Sequence, residues 1–359
     1  MFSRYSILIS LILFVSIASA RTANHIKLKL FKANNPNIQY FGRIDFSDPL
    51  KPRFWSPGVY LKARFKGTAL DIVINDEMSG NNHNYIEIAI DDKQPVRIKL
   101  TDKVNVIKAA RGLQAGVHTI IICKDTESGI GYLKVVGIRC GELLPLPPKP
   151  KRKIEYIGDS ITSGTGMDVS VVPCDKGQWF DQHNAYMSYG ARTSRTLNAQ
   201  WQLTAVAGIG LTHSCCNMDI LMPEVLDKVY LRNNKMQWDF SRYQPDIVTI
   251  CLGQNDGIVD SVLFCSTYVT FIDNVRTHYP KADIICLTSP MANDTLTSVL
   301  KKYLSGITAY MNNKGDKRVY KYFFSKRYHN GCGGHPDLAE HEQIADELTA
   351  CIKQIAHWN

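Results

Sequence analysis

Alternation of apolar and polar residues dominates the first third of the chain. Ile26-Lys27-Leu28-Lys29-Leu30 places an apolar side chain at every second position, the period of a strand with one buried face. Runs of the same strand-like character span 59–65, 70–74, 85–90, 96–100, 117–123 and 132–138. Lys66-Gly67-Thr68 and Ser79-Gly80-Asn81-Asn82 punctuate them. Short strands at this spacing, without helical periodicity, predict a β-sandwich of jelly-roll type over 21–145. Leu143-Leu144-Pro145-Leu146-Pro147-Pro148-Lys149-Pro150 then breaks the pattern. So many prolines favour a stiff, extended connector, and the linker is placed at 146–153. Beyond it, strands alternate with helices. Strands are expected at 153–157, 202–207, 246–252, 283–287 and 319–324, and helices at 185–197, 267–278, 296–311 and 338–357. That rhythm predicts a parallel sheet covered on both faces, a three-layer, flavodoxin-like α/β domain over 154–359. Asp337 and Glu340 form a capping-box pair at the start of the last helix.

Composition agrees with a globular protein: 359 residues, 45% hydrophobic and 21% charged. The first twenty residues are a separate object. Arg4, the apolar run 7–17 and Ala18-Ser19-Ala20 read as a secretory signal peptide cleaved after Ala20. The apolar run is short for a membrane span, and no later span is expected. In a secreted chain, some of the ten cysteines are expected to form disulfides, whose pairing the spacing does not reveal. Cys251 and Cys286 lie in apolar strand-like runs and read as free buried thiols. There is no Cys-x-x-Cys pair, and no metal or cofactor is expected. Asn293-Asp294-Thr295 is a glycosylation sequon of low specificity. The net charge of +9 is scattered, apart from the basic stretch 149–153, which reads as solvated linker. Nothing in the pattern suggests nucleic-acid binding.

The chemistry concentrates at predicted strand ends. Ser160 follows the first strand of the second half in Gly158-Asp159-Ser160. A serine presented there becomes a nucleophile if a base reaches it, although Gly-x-Ser-x-Gly is absent. Gly208-Ile209-Gly210 and Gly253-Gln254-Asn255-Asp256 also stand at strand ends, where open α/β sheets bind ligands. Asn255 offers an amide and Gly210 a backbone N–H for a developing oxyanion. Asp256 reads as a helix cap. His335 precedes the last helix, placed to fold back over the first strand as base. His341 is expected to face solvent. His341-Glu342 lacks the second histidine of a zinc-protease motif, because Ala345 stands there.

Gly-Asp-Ser, the glycines, Gly-x-Asn-Asp and the late His335-Pro336, in that order, resemble the SGNH (GDSL-type) hydrolases. Met222-Pro223-Glu224, Trp238-Asp239-Phe240-Ser241, Gln244-Pro245-Asp246, Asn184-Ala185-Tyr186 and Gly331-Cys332 narrow the resemblance to carbohydrate esterase family 2. The resemblance implies a jelly-roll domain ahead of an esterase domain. It also implies hydrolysis of acetyl esters on xylan- or glucomannan-type polysaccharides, commonly at sugar O-6. It assigns Ser160 as nucleophile and His335 as base, with Gly210, Asn255 and the Ser160 N–H as oxyanion hole. Trp179 and Trp238 are candidate sugar-binding residues, with Phe180 beside Trp179 in the long segment after Ser160.

One departure matters. The broader superfamily has an aspartate three residues before the histidine, where this chain has Cys332. Some members of carbohydrate esterase family 2 orient the histidine with a backbone carbonyl instead. A Ser160–His335 dyad is therefore expected, with Asp337 serving as helix cap. The alternatives are another ester hydrolase, acting on lipid or peptidoglycan, and a carbohydrate-binding protein with an inactive esterase fold.

Overall fold

The computed structural model describes residues 28–91, 93–233 and 235–359. The expected signal peptide and the start of the strand expected at 26–30 lie outside the described residues.

The N-terminal domain holds β1 (Lys29–Lys32), β2 (Ile38–Phe41), β3 (Arg53–Phe54), β4 (Tyr60–Asp76), β5 (Tyr85–Ile90), β6 (Val96–Lys99), β7 (Val104–Ala110), β8 (Val117–Lys124) and β9 (Leu133–Leu144). Every pairing is antiparallel, in the order β1-β9-β4-β8-β5-β6, with β2 and β7 also on β4 and β3 on β9. Lys66-Gly67-Thr68 does not end a strand as expected. It lies within β4, where the register on β9 shifts between Lys66 and Leu70. An irregularity of this kind bends a strand without breaking it. The first half of β4 pairs with β8 and the second with β7. Phe65, Leu70, Ile72 and Ile74 of β4 meet Ile86, Ile120 and Ile138 in one buried cluster.

Residues 145–152, which carry Pro145, Pro147, Pro148 and Pro150, form no strand or helix. The C-terminal domain then places β10 (Lys153–Gly158), β11 (Gln200–Ala205), β12 (Ile247–Cys251), β13 (Asp283–Leu287) and β14 (Val319–Tyr322) in one parallel sheet. The order is β11-β10-β12-β13-β14. Its helices are α1 (Ser160–Ser163), α2 (Tyr189–Thr196), α3 (Met222–Val225), α4 (Ser261–His278), α5 (Asp294–Lys314) and α6 (Leu338–Ala356). Every residue of β12 is buried, as in a sheet covered on both faces. Val248 and Ile250 join a cluster with α4 and α5, while Ile247 and Cys251 join one with α2 and α6. Cys251 and Cys286 are free and buried, as their apolar runs suggested.

α2 starts later than expected because Asp125 and Asn184 claim the preceding backbone. Asp125 O accepts the Ala185 N–H (3.3 Å), its carboxylate accepts Tyr186 N–H (3.2 Å), and Asn184 Oδ1 accepts Met187 N–H (2.9 Å). The domains meet through aromatic rings as well. Trp201 of β11 stacks on Tyr60 with ring centroids 3.7 Å apart, and Tyr60 stacks on Phe41 at 4.3 Å. Trp201 Nε1–H donates to Gly58 O (2.9 Å). Arg43 and Glu155 form a fully buried ion pair at 2.9 Å across the same boundary. Among the described residues, no helix is long and apolar enough to cross a membrane.

Candidate active site

Strand order 2-1-3-4-5 places the topological switch around β10, where ligands of such sheets bind. Three loops leave the carboxyl ends there, after β10, β11 and β12. They carry Ser160, Gly208 to Gly210 and Asn255.

Ser160 opens α1 immediately after Asp159, whose Oδ1 caps the turn by accepting Ile161 N–H (3.0 Å). The turn is tight enough that a Cβ on Gly158 would lie 2.1 Å from Thr162 Oγ1. The Ser160 N–H, one of the orphan donors of a first helical turn, meets no acceptor among the described residues. Asp159 itself is buried, which pushes its carboxyl up to about 7, with Asp256 nearby adding to the effect.

His335 arrives from the loop before α6. Its Nε2 lies 2.9 Å from Ser160 Oγ and its Nδ1 lies 3.0 Å from the Cys332 carbonyl. A carbonyl only accepts, so Nδ1 carries the proton and Nε2 is left free to accept from the serine hydroxyl. Burial holds His335 below its ordinary pKa, and the carbonyl contact opposes that shift. No carboxylate bonds the imidazole among the described residues. Asp337 is occupied as the N-cap of α6: its Oδ1 accepts Glu340 N–H (2.8 Å) and Glu340 Oε2 accepts its N–H (3.1 Å). A disulfide joins Cys332 to Cys174, a pairing the spacing could not reveal.

Asn255 Nδ2 donates to Ile209 O (2.9 Å) and, over a longer 3.2 Å, to Asp159 Oδ2. It thus ties the loops after β10 and β11 together. Gly210 is placed differently from expectation. Its N–H already donates to Ser214 Oγ (3.0 Å), and a Cβ there would meet His213 O at 1.8 Å. Gly208, two residues earlier at φ +87°, has an N–H with no acceptor among the described residues. Asp256 is not a helix cap either. Its carboxylate accepts the N–H groups of Leu211 (3.0 Å) and His213 (3.2 Å) and the Thr212 hydroxyl (2.7 Å). The cap of α4 is Asp260.

The two tryptophans part company. Trp179 is 52% exposed and its ring lies 4.7 Å from that of His183. Burial, then the nearby Arg97 cation and only after it His335, holds the His183 pKa well below its ordinary value. Trp238 is buried with Trp55 and Tyr243. Tyr243 bonds the carbonyls of Ile154 and Gln200, so this cluster sits at the amino end of the sheet, opposite Ser160. Packing, not the Ser160 end, claims Trp238. Phe180 is likewise buried.

His341, expected in solvent, is fully buried. It heads the stripe His341, Ile344, Ala345, Leu348 and Ile352 that α6 turns inward. Its Nδ1 accepts Tyr189 N–H (3.1 Å), and burial pushes its pKa down to about 3. A cavity of about 1020 Å³ runs between α5, β14 and α6, and none of the residues gathered around Ser160 lines it.

Residues 40–150 match the family "Carbohydrate esterase 2 N-terminal", and residues 156–359 match the "GDSL-like Lipase/Acylhydrolase family". The chain is 30% identical to an acetylxylan esterase / glucomannan deacetylase of Cellvibrio japonicus, over 91% of each protein. It is 33% identical to the cellulase/esterase CelE of Acetivibrio thermocellus, over 90% of this chain but 40% of that longer protein. A family two carbohydrate esterase from Clostridium thermocellum, solved in complex with cellohexaose, superposes with a TM-score of 0.82 at 32% identity. That match covers 90% of this chain and all of the other. With both halves matched and a full-length relative at this identity, the chain belongs to carbohydrate esterase family 2 and is a serine ester hydrolase.

Proposed function

We propose that this protein is a secreted acetyl esterase that removes O-acetyl groups from xylan- or glucomannan-type polysaccharides, with sugar O-6 as a favoured position. The observation that carries the reading is the line from Ser160 Oγ through the His335 ring to the Cys332 carbonyl, with contacts of 2.9 and 3.0 Å.

His335 Nε2 takes the Ser160 proton as Oγ attacks the acetyl carbonyl. The imidazolium then delivers that proton to the departing sugar hydroxyl. Water repeats the sequence on the acetyl-enzyme, and acetate leaves. The free N–H groups of Ser160 and Gly208 and the Asn255 amide support the oxyanion, Gly208 replacing the Gly210 expected from the resemblance. Asn255 redirects its longer hydrogen bond, the one to Asp159 (3.2 Å), toward the developing charge. Trp179, exposed beside His183, offers a ring face to the sugar. The N-terminal domain, read as a jelly roll, serves as a brace. Secretion follows from the leader read over residues 1–20.

The test is acetate release from acetylated xylan, acetylated glucomannan and 4-nitrophenyl acetate. Wild type is expected to release acetate from the polysaccharides, and Ser160→Ala to lose roughly 10³-fold or more. Activity on the small ester alone would move the natural substrate elsewhere.

A further inference from the structure

We infer that the Cys174–Cys332 disulfide positions the catalytic base: it braces the peptide carbonyl that holds His335, in the role a side-chain carboxylate would otherwise fill. The inference rests on the reading of Ser160 and His335 as nucleophile and base.

A carboxylate on a side chain finds an imidazole through its own rotamers. A carbonyl points where its peptide plane points, so the backbone itself must be fixed. The local sequence works against that. Gly331, Gly333 and Gly334 surround Cys332, and Gly333 and Gly334 sit at φ +62° and +73°. Glycines widen the choice of backbone conformations. The loop's own ties are few: Cys332 N–H to Gly166 O (2.8 Å), His335 N–H to Cys332 O (3.2 Å), and Gly331 N–H to His335 O (2.7 Å). Just before it, Glu340 accepts the N–H groups of His329 (3.2 Å) and Asn330 (2.8 Å), and Cys332 itself is further tied by the disulfide.

Its far end is anchored. The buried Gln182 amide donates to the carbonyls of Pro173 (3.1 Å) and Lys176 (3.0 Å), either side of Cys174. Asp181 accepts Gln178 N–H (2.7 Å) and is held in turn by the Tyr85 hydroxyl (2.7 Å) and Lys99 Nζ (2.9 Å). Tyr85 and Lys99 belong to the N-terminal domain. A continuous chain of bonds therefore runs from that domain through Asp181, the 173–178 loop and the disulfide to the carbonyl under His335. The brace reaches the base.

The experiment compares wild type, Cys174→Ser, and Cys174→Ser/Cys332→Asp, with Ser160→Ala as reference. Cys174→Ser is expected to lower kcat by about ten- to a hundredfold, the scale of a small misplacement, with KM little changed. The acid limb of its kcat/KM profile moves to lower pH, because the carbonyl contact that raises the His335 pKa is loosened. Among the described residues the ring bonds only Ser160 and Cys332, and the two nearby imidazoles, His183 and His341, are held neutral. Asp159, whose buried carboxyl is pushed up to about 7 beside Ser160, also titrates at the site, so the move is read as the difference between variant and wild type, which share it. The double variant regains kcat, with its acid limb above that of wild type, since a carboxylate favours imidazolium. If Cys174→Ser does not fold, wild type treated with a dithiol replaces it. The dithiol gives two electrons and two protons to the S–S bond and becomes a cyclic disulfide. A Cys215→Ala/Cys216→Ala control removes the other disulfide, between neighbouring cysteines. A lowered melting temperature with unchanged kcat and acid limb would overturn the inference. Acetate release that survives in Ser160→Ala would overturn the underlying reading instead.

Discussion

The two ends of the parallel sheet treat polar groups in opposite ways. At the amino end they are used to close the structure. The Tyr243 hydroxyl lies 3.0 Å from Ile154 O and 3.1 Å from Gln200 O, and Asp246 accepts Lys153 N–H (2.8 Å). Arg43 reaches across to Glu155 and to the carbonyls of Leu226 and Lys228. At the carboxyl end, the Ser160 and Gly208 N–H groups meet no acceptor among the described residues, and the His335 ring rests on one backbone carbonyl. A sheet of this kind can afford open donors at one end because the other end and both faces are closed around it.

Breaking the closed end should cost stability and spare chemistry. Arg43→Met leaves Glu155 buried without its cation and should cost about 3–5 kcal/mol in denaturant unfolding. Its kcat on 4-nitrophenyl acetate, measured well below the melting temperature, should stay near wild type. The open end should answer in reverse: Asn255→Ala is expected to lower kcat by roughly 10²–10³-fold with a small change in melting temperature. The wild-type acid limb should lie below the ordinary histidine range, because burial lowers the His335 pKa and the base must be neutral to act.

Outside the parallel sheet, Glu87 of β5 and Asp125 form a buried carboxyl pair that bonds Asn184 and the Tyr186 N–H ahead of α2, and pH should separate it from both ends. Burial, then the neighbouring Asp125, raises the Glu87 pKa well above the ordinary glutamate range. A raised folded pKa gives stability that is complete at low pH and is lost as pH climbs from the unfolded value through the folded one. Wild type should therefore lose stability as pH climbs from about 5 toward 8 through this pair, Asp125 being raised as well, and Glu87→Gln should flatten that slope in pH-dependent denaturant unfolding. Asp337→Ala gives the smallest effect: about 1 kcal/mol from the lost helix cap, with kcat essentially kept. A kcat as low as that of His335→Ala would return Asp337 to the catalytic machinery.

What could be read from the sequence was local. The strand–helix alternation, the five parallel strands and the capping box at Asp337 depend on near neighbours and period. The meeting of Ser160 with His335 across 175 residues was approachable because each stands at the end of an element. Facts set by distant partners were not. Gly208 and Gly210 look alike on paper, and only the return of Ser214 shows which N–H is occupied. His341 reads as solvent-facing until α2 lies against α6 and claims its nitrogen. Asp256 and Trp238 were misplaced for the same reason, since the loop and the cluster that hold them are tertiary.

The Phe41–Tyr60–Trp201 stack bears on modularity. Trp201 is a sheet residue of the esterase domain, yet its ring and its N–H are completed by the other domain. The C-terminal domain alone would present that indole to water. The two halves therefore do not behave as interchangeable cassettes. They should melt in one calorimetric transition, and a chain rearranged to carry the Ser160 site elsewhere would have to take the strands of both domains with it.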